Sequence, residues 1–177
     1  LLDEKTLTSY IQLKAPEVLT AHVDGSDTFA RSTIFLEVRK PVTGWNIHGV
    51  QQYVDTSGTA FTRNYFEPPG VQIIDNSGVP VEAGRAVASN RFLGFVGRLA
   101  GFMTGRGYKV EQLIIPAGTT RQVELKLKDT SYLIKCSIDR PAGEQAEDID
   151  KTVIFLKQKG INPSYIDVRV SGKVFYQ

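Results

Sequence analysis

The strongest limit on what this chain can fold into is a pair of alternating runs followed at once by a helical stripe. In residues 121–127, Val123, Leu125 and Leu127 alternate with Gln122, Glu124 and Lys126, and in residues 132–139, Tyr132, Ile134, Cys136 and Ile138 share one face. A period of two means strands with one apolar and one polar side. Residues 144–159 then change to a period near 3.6, with Ala146, Ile149, Val153 and Leu156 in one stripe of a helix. Glu144, Glu147, Asp148 and Asp150 sit in its first turns, Lys157 and Lys159 in its last, and Gly160 stops it, as the helix dipole and a left-handed cap favour.

The rest of the chain fits around this segment. Residues 3–14 read as a short helix with Leu7, Tyr10, Ile11 and Lys14 on one stripe, ended by Pro16. Strands follow at 18–23 and 32–40, the second with Ile34, Leu36 and Val38 on one face, joined through a loop at 24–27. Helix, strand, hairpin and strand make about half of a small α+β module. Pro41 marks a break. Beyond it, residues 49–54 and 59–62 flank the turn Asp55-Thr56-Ser57-Gly58, and residues 71–74 form a strand before the turn Asp75-Asn76-Ser77-Gly78. Ser89 or Asn90 caps a helix that runs to about Thr104. Strands at 164–170 and 173–177 close the chain around Ser171-Gly172. The expected class is α+β with a mainly antiparallel sheet and three helices.

Several chemistries are excluded. A chain of 177 residues with 21 basic and 19 acidic side chains carries too little net charge to point to a polyanion, and Lys126, Lys128 and Lys135 alternate with acidic or apolar neighbours, so no nucleic-acid partner is expected. One cysteine, Cys136, allows no internal disulfide, and its place on an apolar strand face makes it a buried thiol rather than a nucleophile. His22 and His48 have no metal-ligand spacing around them, and no phosphate-binding, dinucleotide-binding or hydrolase motif occurs, so no catalytic group, cofactor or metal is expected. The two Asp turns have one residue too many before glycine for the paired carboxylates of an aspartic protease. Gly94, Gly97, Gly101 and Gly105 form a small-residue face on the second helix, expected to let a sheet or neighbouring helix approach closely. The longest uncharged stretch, 41–54, is too short for the ~20 apolar residues a bilayer span needs, and the start at Leu1-Leu2 reads as that of an excerpt.

The C-terminal hairpin is the candidate interaction site. With a two-residue turn at Ser171-Gly172, Val174 opposes Arg169 and Tyr176 opposes Asp167, so that Tyr165, Asp167, Arg169, Val174 and Tyr176 face outward, while Ile166, Val168 and Val170 face in. A one-residue slip turns Val174 and Tyr176 inward. A last strand at the end of a chain is a candidate sheet edge, with unpaired backbone groups open to strand addition.

The same residues carry a family resemblance. Ser164-Tyr165-Ile166-Asp167-Val168-Arg169 resembles the Y-[IV]-D-[LV]-R segment near the C-terminus of the bacterial division protein family FtsQ, called DivIB in some bacteria. IFLEVRKPVTGW from Ile34 resembles the strand that ends one domain of that family and opens the next, and YVDTSGTAF from Tyr53 is similar to its V-D-x-x-G-x-x-F hairpin. Leu1-Leu2-Asp3 and the helix after it resemble the start of the second helix of a POTRA domain. The segment 62–89 aligns poorly, and the spacing of Glu37-Val38-Arg39-Lys40-Pro41 is slightly shifted.

This resemblance implies the C-terminal part of a POTRA domain at residues 1–40 and an FtsQ-type β domain at 41–177. It implies the extracytoplasmic part of a single-pass inner-membrane protein at the division septum, anchored by a helix before Leu1. The implied role is a non-enzymatic divisome scaffold that joins FtsB (DivIC) and FtsL and helps recruit and regulate septal peptidoglycan synthesis. The family's β-domain edge receives a strand from FtsB. Carried onto this chain, the docking residues are Tyr165, Asp167, Arg169, Val170, Ser171, Gly172, Lys173, Val174, Phe175 and Tyr176, with Arg169 pairing an acidic partner residue. The fragment by itself is expected to be monomeric. The alternative is a POTRA-bearing, chaperone-like module of a transport or secretion system, which predicts tandem helix–strand–strand units where one is seen.

Overall fold

The structure, a computed structural model, describes residues 3–25 and 32–177. It begins with α1 (Glu4–Gln12), whose first turn is capped by the Asp3 carboxylate accepting the Thr6 N–H at 2.8 Å. The helix packs along β1 (Val18–Gly25), and the Thr8 hydroxyl bridges to it by accepting the Ala21 N–H at 2.9 Å. β1 pairs antiparallel with β2 (Ser32–Val38). Asp24 and Gly25, expected in a loop, continue β1, while Ser26 and Asp27 lie outside the described residues. Of the stripe expected on α1, Leu7 and Ile11 are partly buried while Tyr10 and Lys14 are exposed, and Ile34, Phe35 and Leu36 of β2 are all about half exposed.

The remaining strands form one nine-stranded sheet. They are β3 (Thr43–Ile47), β4 (Val50–Val54), β5 (Ala60–Phe61), β6 (Gln72–Asp75), β7 (Val110–Ile115), β8 (Gln122–Leu127), β9 (Leu133–Ser137), β10 (Tyr165–Asp167) and β11 (Phe175–Tyr176). Their order across the sheet is β11-β10-β9-β8-β7-β6-β3-β4-β5. The class is α+β with three helices and a mixed, mostly antiparallel sheet: β3–β6, β6–β7 and β9–β10 are parallel pairs. Parallel neighbours need a long crossover, and two of these pairs have a helix as theirs. α2 (Asn90–Gly105) joins β6 to β7 and α3 (Ala142–Lys159) joins β9 to β10. Sequence reading finds neither β3 nor β7, because Gly44 and Asn46 interrupt the apolar pattern of one and Glu111-Gln112 that of the other.

Both helices lie together on one face of the sheet and close the core there. Phe92, Phe95, Leu99 and Met103 of α2 and Ala146, Ile149, Val153 and Leu156 of α3 pack onto Trp45, Ile73, Leu113, Leu125 and Ile134. Burying one leucine-sized side chain contributes about 1.5–3 kcal/mol, and the alternation in β8, with Val123, Leu125 and Leu127 all inward, is the sequence pattern meeting that cover. Ser89 caps α2 by accepting the Phe92 N–H at 3.1 Å. The glycine face of α2 does not serve close packing: a Cβ added at Gly97, Gly101 or Gly105 meets nothing within 4 Å, and at Gly94 the nearest atoms belong to Arg98. The apolar stripe of that helix lies on the other side, and the glycines face away from the sheet.

The two Asp turns are near copies. Asp55 accepts the Ser57 N–H and Asp75 the Ser77 N–H, each through Oδ1 at 2.9 Å. Gly58 and Gly78 both stand at φ +83. Their surroundings differ, since a Cβ on Gly58 falls 1.9 Å from the Ala88 carbonyl oxygen, whereas one on Gly78 meets nothing. Gly78→Ala is therefore expected to cost the left-handed penalty alone, about 1–2 kcal/mol, and Gly58→Ala clearly more. Urea denaturation of the two variants checks this, and equal costs speak against the packing of 84–88 on the Asp55 turn.

Candidate functional site

The C-terminal hairpin is built on a loop rather than a two-residue turn. β10 ends at Asp167 and β11 begins at Phe175, with Gly172 at φ +70 inside the connection. Asp167 pairs with Phe175 and Ile166 with Tyr176. This is the one-residue slip, and it corrects the expected outward set. Tyr165, Asp167 and Arg169 keep the open side of the sheet and Phe175 joins them, while Tyr176 turns to the helix side and Val174 packs against the core. Ile166 and Val168 are fully buried as expected, but Val170 is half exposed.

Two arginines hold the loop. Arg169 grips Asp167 as a fork, donating from Nε to Oδ1 at 2.9 Å and from Nη2 to Oδ2 at 2.5 Å, and its backbone N–H reaches the same Oδ1 at 3.0 Å. Its Nη1 donates to Gln122 Oε1 at 2.9 Å. Three of the five guanidinium N–H groups are thus engaged within the chain, and two are not. Arg140, mostly buried, donates to the Val168 and Val170 carbonyls and pairs Asp148 at 2.9 Å. Sequence reading misses Arg140, although Arg140, Glu144 and Asp148 recur at every fourth position, as groups on one helical face do.

β11 is the edge of the sheet, and among the described residues its far side has no partner strand. Gln177 donates to the Tyr165 carbonyl and its own carbonyl accepts from Ser164, so Gln177 faces β10. By alternation Tyr176 turns its N–H and C=O outward. Aromatic groups flank these open backbone groups on both sides. Phe175 is 52% exposed on the polar face, and Tyr176, 43% exposed, lies 6.5 Å between ring centroids from Phe155 of α3, itself 42% exposed. Behind the edge, the Lys135 ammonium lies 4.0 Å from the centre of the Tyr165 ring. The arrangement can take an extended segment by backbone pairing and hold apolar side chains on either side of it. Phe155 escapes sequence reading because it is a helix residue that meets the edge only in the folded chain.

No group of three or more His, Cys, Asp or Glu side chains suited to a metal ion occurs among the described residues. No helix among them is long and apolar enough to cross a membrane. Burial pushes the Cys136 thiol up to about 12, with the Asp167 charge adding to it. Comparison with protein-family models finds none that matches this chain. Comparison with curated proteins finds no match either.

The Arg169 fork, opposed in part by burial, holds the Asp167 carboxyl below the usual range. A depressed folded value means stability that is present above the unfolded pKa of about 3.9 and is lost as pH falls through the folded value. Asp167→Asn is expected to lose about 1.5–3 kcal/mol at neutral pH, a difference that shrinks as pH falls below the unfolded pKa of about 3.9 and through the lower folded value. Thermal unfolding across that pH range tests it, and a pH-independent difference rules the fork out as the cause. Cys136 is expected to resist a thiol reagent at pH 8 in the folded chain and to react at once in denaturant, whereas fast folded-state reaction contradicts its burial.

Proposed function

We propose that this chain is a non-enzymatic docking module that takes an extended segment of a partner protein as an added strand along β11. The observation that carries the reading is the open backbone of β11 between exposed Phe175 on one side and Tyr176 with Phe155 on the other. The resemblance of the Ser164–Arg169 segment and three further stretches to the FtsQ family supports the particular form of this proposal. In it, residues 1–40 belong to a POTRA domain and residues 41–177 to the β domain of an extracytoplasmic divisome scaffold. The parent protein is anchored in the bacterial inner membrane, and the partners are FtsB (DivIC) and FtsL in septal peptidoglycan synthesis. Arg169 sits one strand in from the edge, gripping Asp167 of β10 and reaching inward to Gln122 of β8, and its two remaining N–H groups are suited to a carboxylate that a bound partner lays over the open face beside β10. Val170, Ser171, Gly172 and Lys173 form the loop that such a strand passes.

A second reading rests on β2. Its edge away from β1 has no partner strand among the described residues, and Ile34, Phe35 and Leu36 are exposed on it. That favours a chaperone-like POTRA module of a transport or secretion system, which would capture its passenger at β2 instead.

Titration with an extracytoplasmic FtsB peptide from the same organism separates the two. The divisome reading expects saturable binding, weakened about tenfold or more by Tyr176→Ala and by Phe175→Ala, since aromatic anchors dominate such edges. Arg169→Glu is expected to cost about 2–5 kcal/mol if its partner pair is desolvated. Binding lost through Phe35→Asp and untouched by the β11 variants favours the transport reading. Absence of saturation near 1 mM peptide, with all variants folded, removes the FtsB assignment.

A further inference from the structure

The near-identity of the two Asp turns exposes a difference that packing alone does not require. Both carboxylates are buried, Asp55 at 5% exposure and Asp75 at 6%. In the first turn, Asp55 Oδ2 receives the Arg39 guanidinium at 2.6 Å, so that a full positive charge sits against the buried negative one. In the second, Asp75 Oδ2 receives the neutral Trp45 indole N–H at 3.0 Å, and among the described residues no Lys, Arg or His lies within ion-pair distance of it. A buried carboxylate ordinarily has a cation or a metal beside it, because desolvating an unbalanced charge is costly. The N-terminal pole of α2 nearby supplies a fraction of a unit of positive charge, less than the carboxylate carries.

Asp75 also lines a cavity of about 310 Å³, and Asp55 does not. The cavity opens where the parallel strands β3, β6 and β7 end and α2 begins, the end of such sheets at which ligands generally bind. Its walls are mostly apolar, with Trp45, Phe92, Val79, Val87 and Ile115 among them and Ser77, Ser89 and Thr120 between. Arg121 reaches the rim, where its exposed guanidinium pairs Asp139 at 2.7 Å from Nη2 rather than Asp75. The Asp75 carboxylate can accept more bonds than the two it has. The volume falls at the lower end of the range for small-ligand sites and admits a side chain or a single ring.

From the twin turns and the cavity together we infer that Asp75 is the anionic anchor of a binding site for a guanidinium or amidinium group on an apolar stem. The incoming group takes the place beside Asp75 that Arg39 takes beside Asp55, with the stem against Trp45 and Phe92. The site is separate from β11 and does not depend on the reading of that edge. Two sources share this chemistry, an arginine side chain of a bound protein segment and a free small amidine or guanidine.

The chain contains one tryptophan, Trp45, whose indole N–H bonds to Asp75 itself, so its amide-region NMR signal reports on the site directly. Titrations use benzamidine and N-acetyl-arginine methylamide, with N-acetyl-norleucine methylamide as the uncharged isostere. The expected result is a saturable shift of the indole signal with the charged probes and none with the isostere. Asp75→Asn, which removes the charge and keeps one acceptor for either the indole or the Ser77 N–H, is expected to weaken binding about tenfold or more, a change of one decade in Kd. Tighter binding of the arginine derivative than of benzamidine identifies a protein segment as the source, and the reverse identifies a small molecule. Should Asp75→Asn fail to fold, Val79→Tyr at the exposed rim fills the mouth with Asp75 intact and is expected to abolish the shift. No saturable shift up to about 50 mM of either probe, an equal response to the isostere, or unchanged affinity in the folded variants overturns the site.

Discussion

Two helices cover one face of a nine-stranded sheet, and the rest of the molecule follows from that one-sided cover. α2 and α3 can shield the strands they cross, so Leu113, Leu125, Ile134 and Ile166 must all project to the same side. The opposite side remains polar and half open, with Glu124 opposite Lys135 and Lys135 opposite Asp167 across neighbouring strands. Opposite charges at directly paired positions stabilise such a face modestly and keep it from joining another sheet. The helices also set the direction of the strands, because each serves as a crossover between parallel neighbours. At the edges the cover runs out, and there the structure either caps a strand or leaves it open. β5 is capped by the 84–88 segment, whose Arg85 carbonyl accepts the Ala60 N–H at 2.9 Å. β11 is left open.

Two shielded carboxylates act as the joints between these parts, Asp55 buried and Asp167 partly so. Asp55 ties the small N-terminal module to the sheet, since the Arg39 that it pairs also donates to the Pro16 carbonyl at 2.9 Å. Burial raises the Asp55 pKa, but hydrogen bonds from Ser57, Arg39 and Thr59 outweigh it, and the carboxyl stays below its ordinary value. Asp167 plays the corresponding part at the far edge, where its grip on Arg169 and Arg140's grip on the Val168 and Val170 carbonyls shape the loop before β11. The loop shape in turn fixes the register of the last strand, and so decides which aromatic residues flank the open backbone.

Much of this was legible beforehand. The two turns, the Ser89 cap, the β8 and β9 faces and the stripe of α3 all rest on local rules, where a residue's neighbours in sequence are its neighbours in space. The elements missed, β3 and β7, are buried inside the sheet, where partners on both sides hold a strand whose own pattern is broken by Gly44, Asn46, Glu111 or Gln112. The glycine face of α2 failed for a related reason. Small residues permit close approach, but a helix turns toward whatever buries the most apolar area, and Phe92, Phe95, Leu99 and Met103 lie on the other side.

By itself the sequence determined the alternation and stripes, hence an α+β chain with a one-sided sheet and three helices, and the candidate edge at its C-terminus. The tertiary structure decided the parallel pairings, the slipped register of β11 and the meeting of Phe155 with Tyr176. It also decided that one of two near-identical Asp turns received an arginine and the other a cavity. The division has a physical cause: period and turn chemistry are set within a few residues along the chain. Register, charge pairing and cavities depend on side chains brought together from distant positions, such as Arg39 with Asp55, Trp45 with Asp75 and Arg140 with Val168.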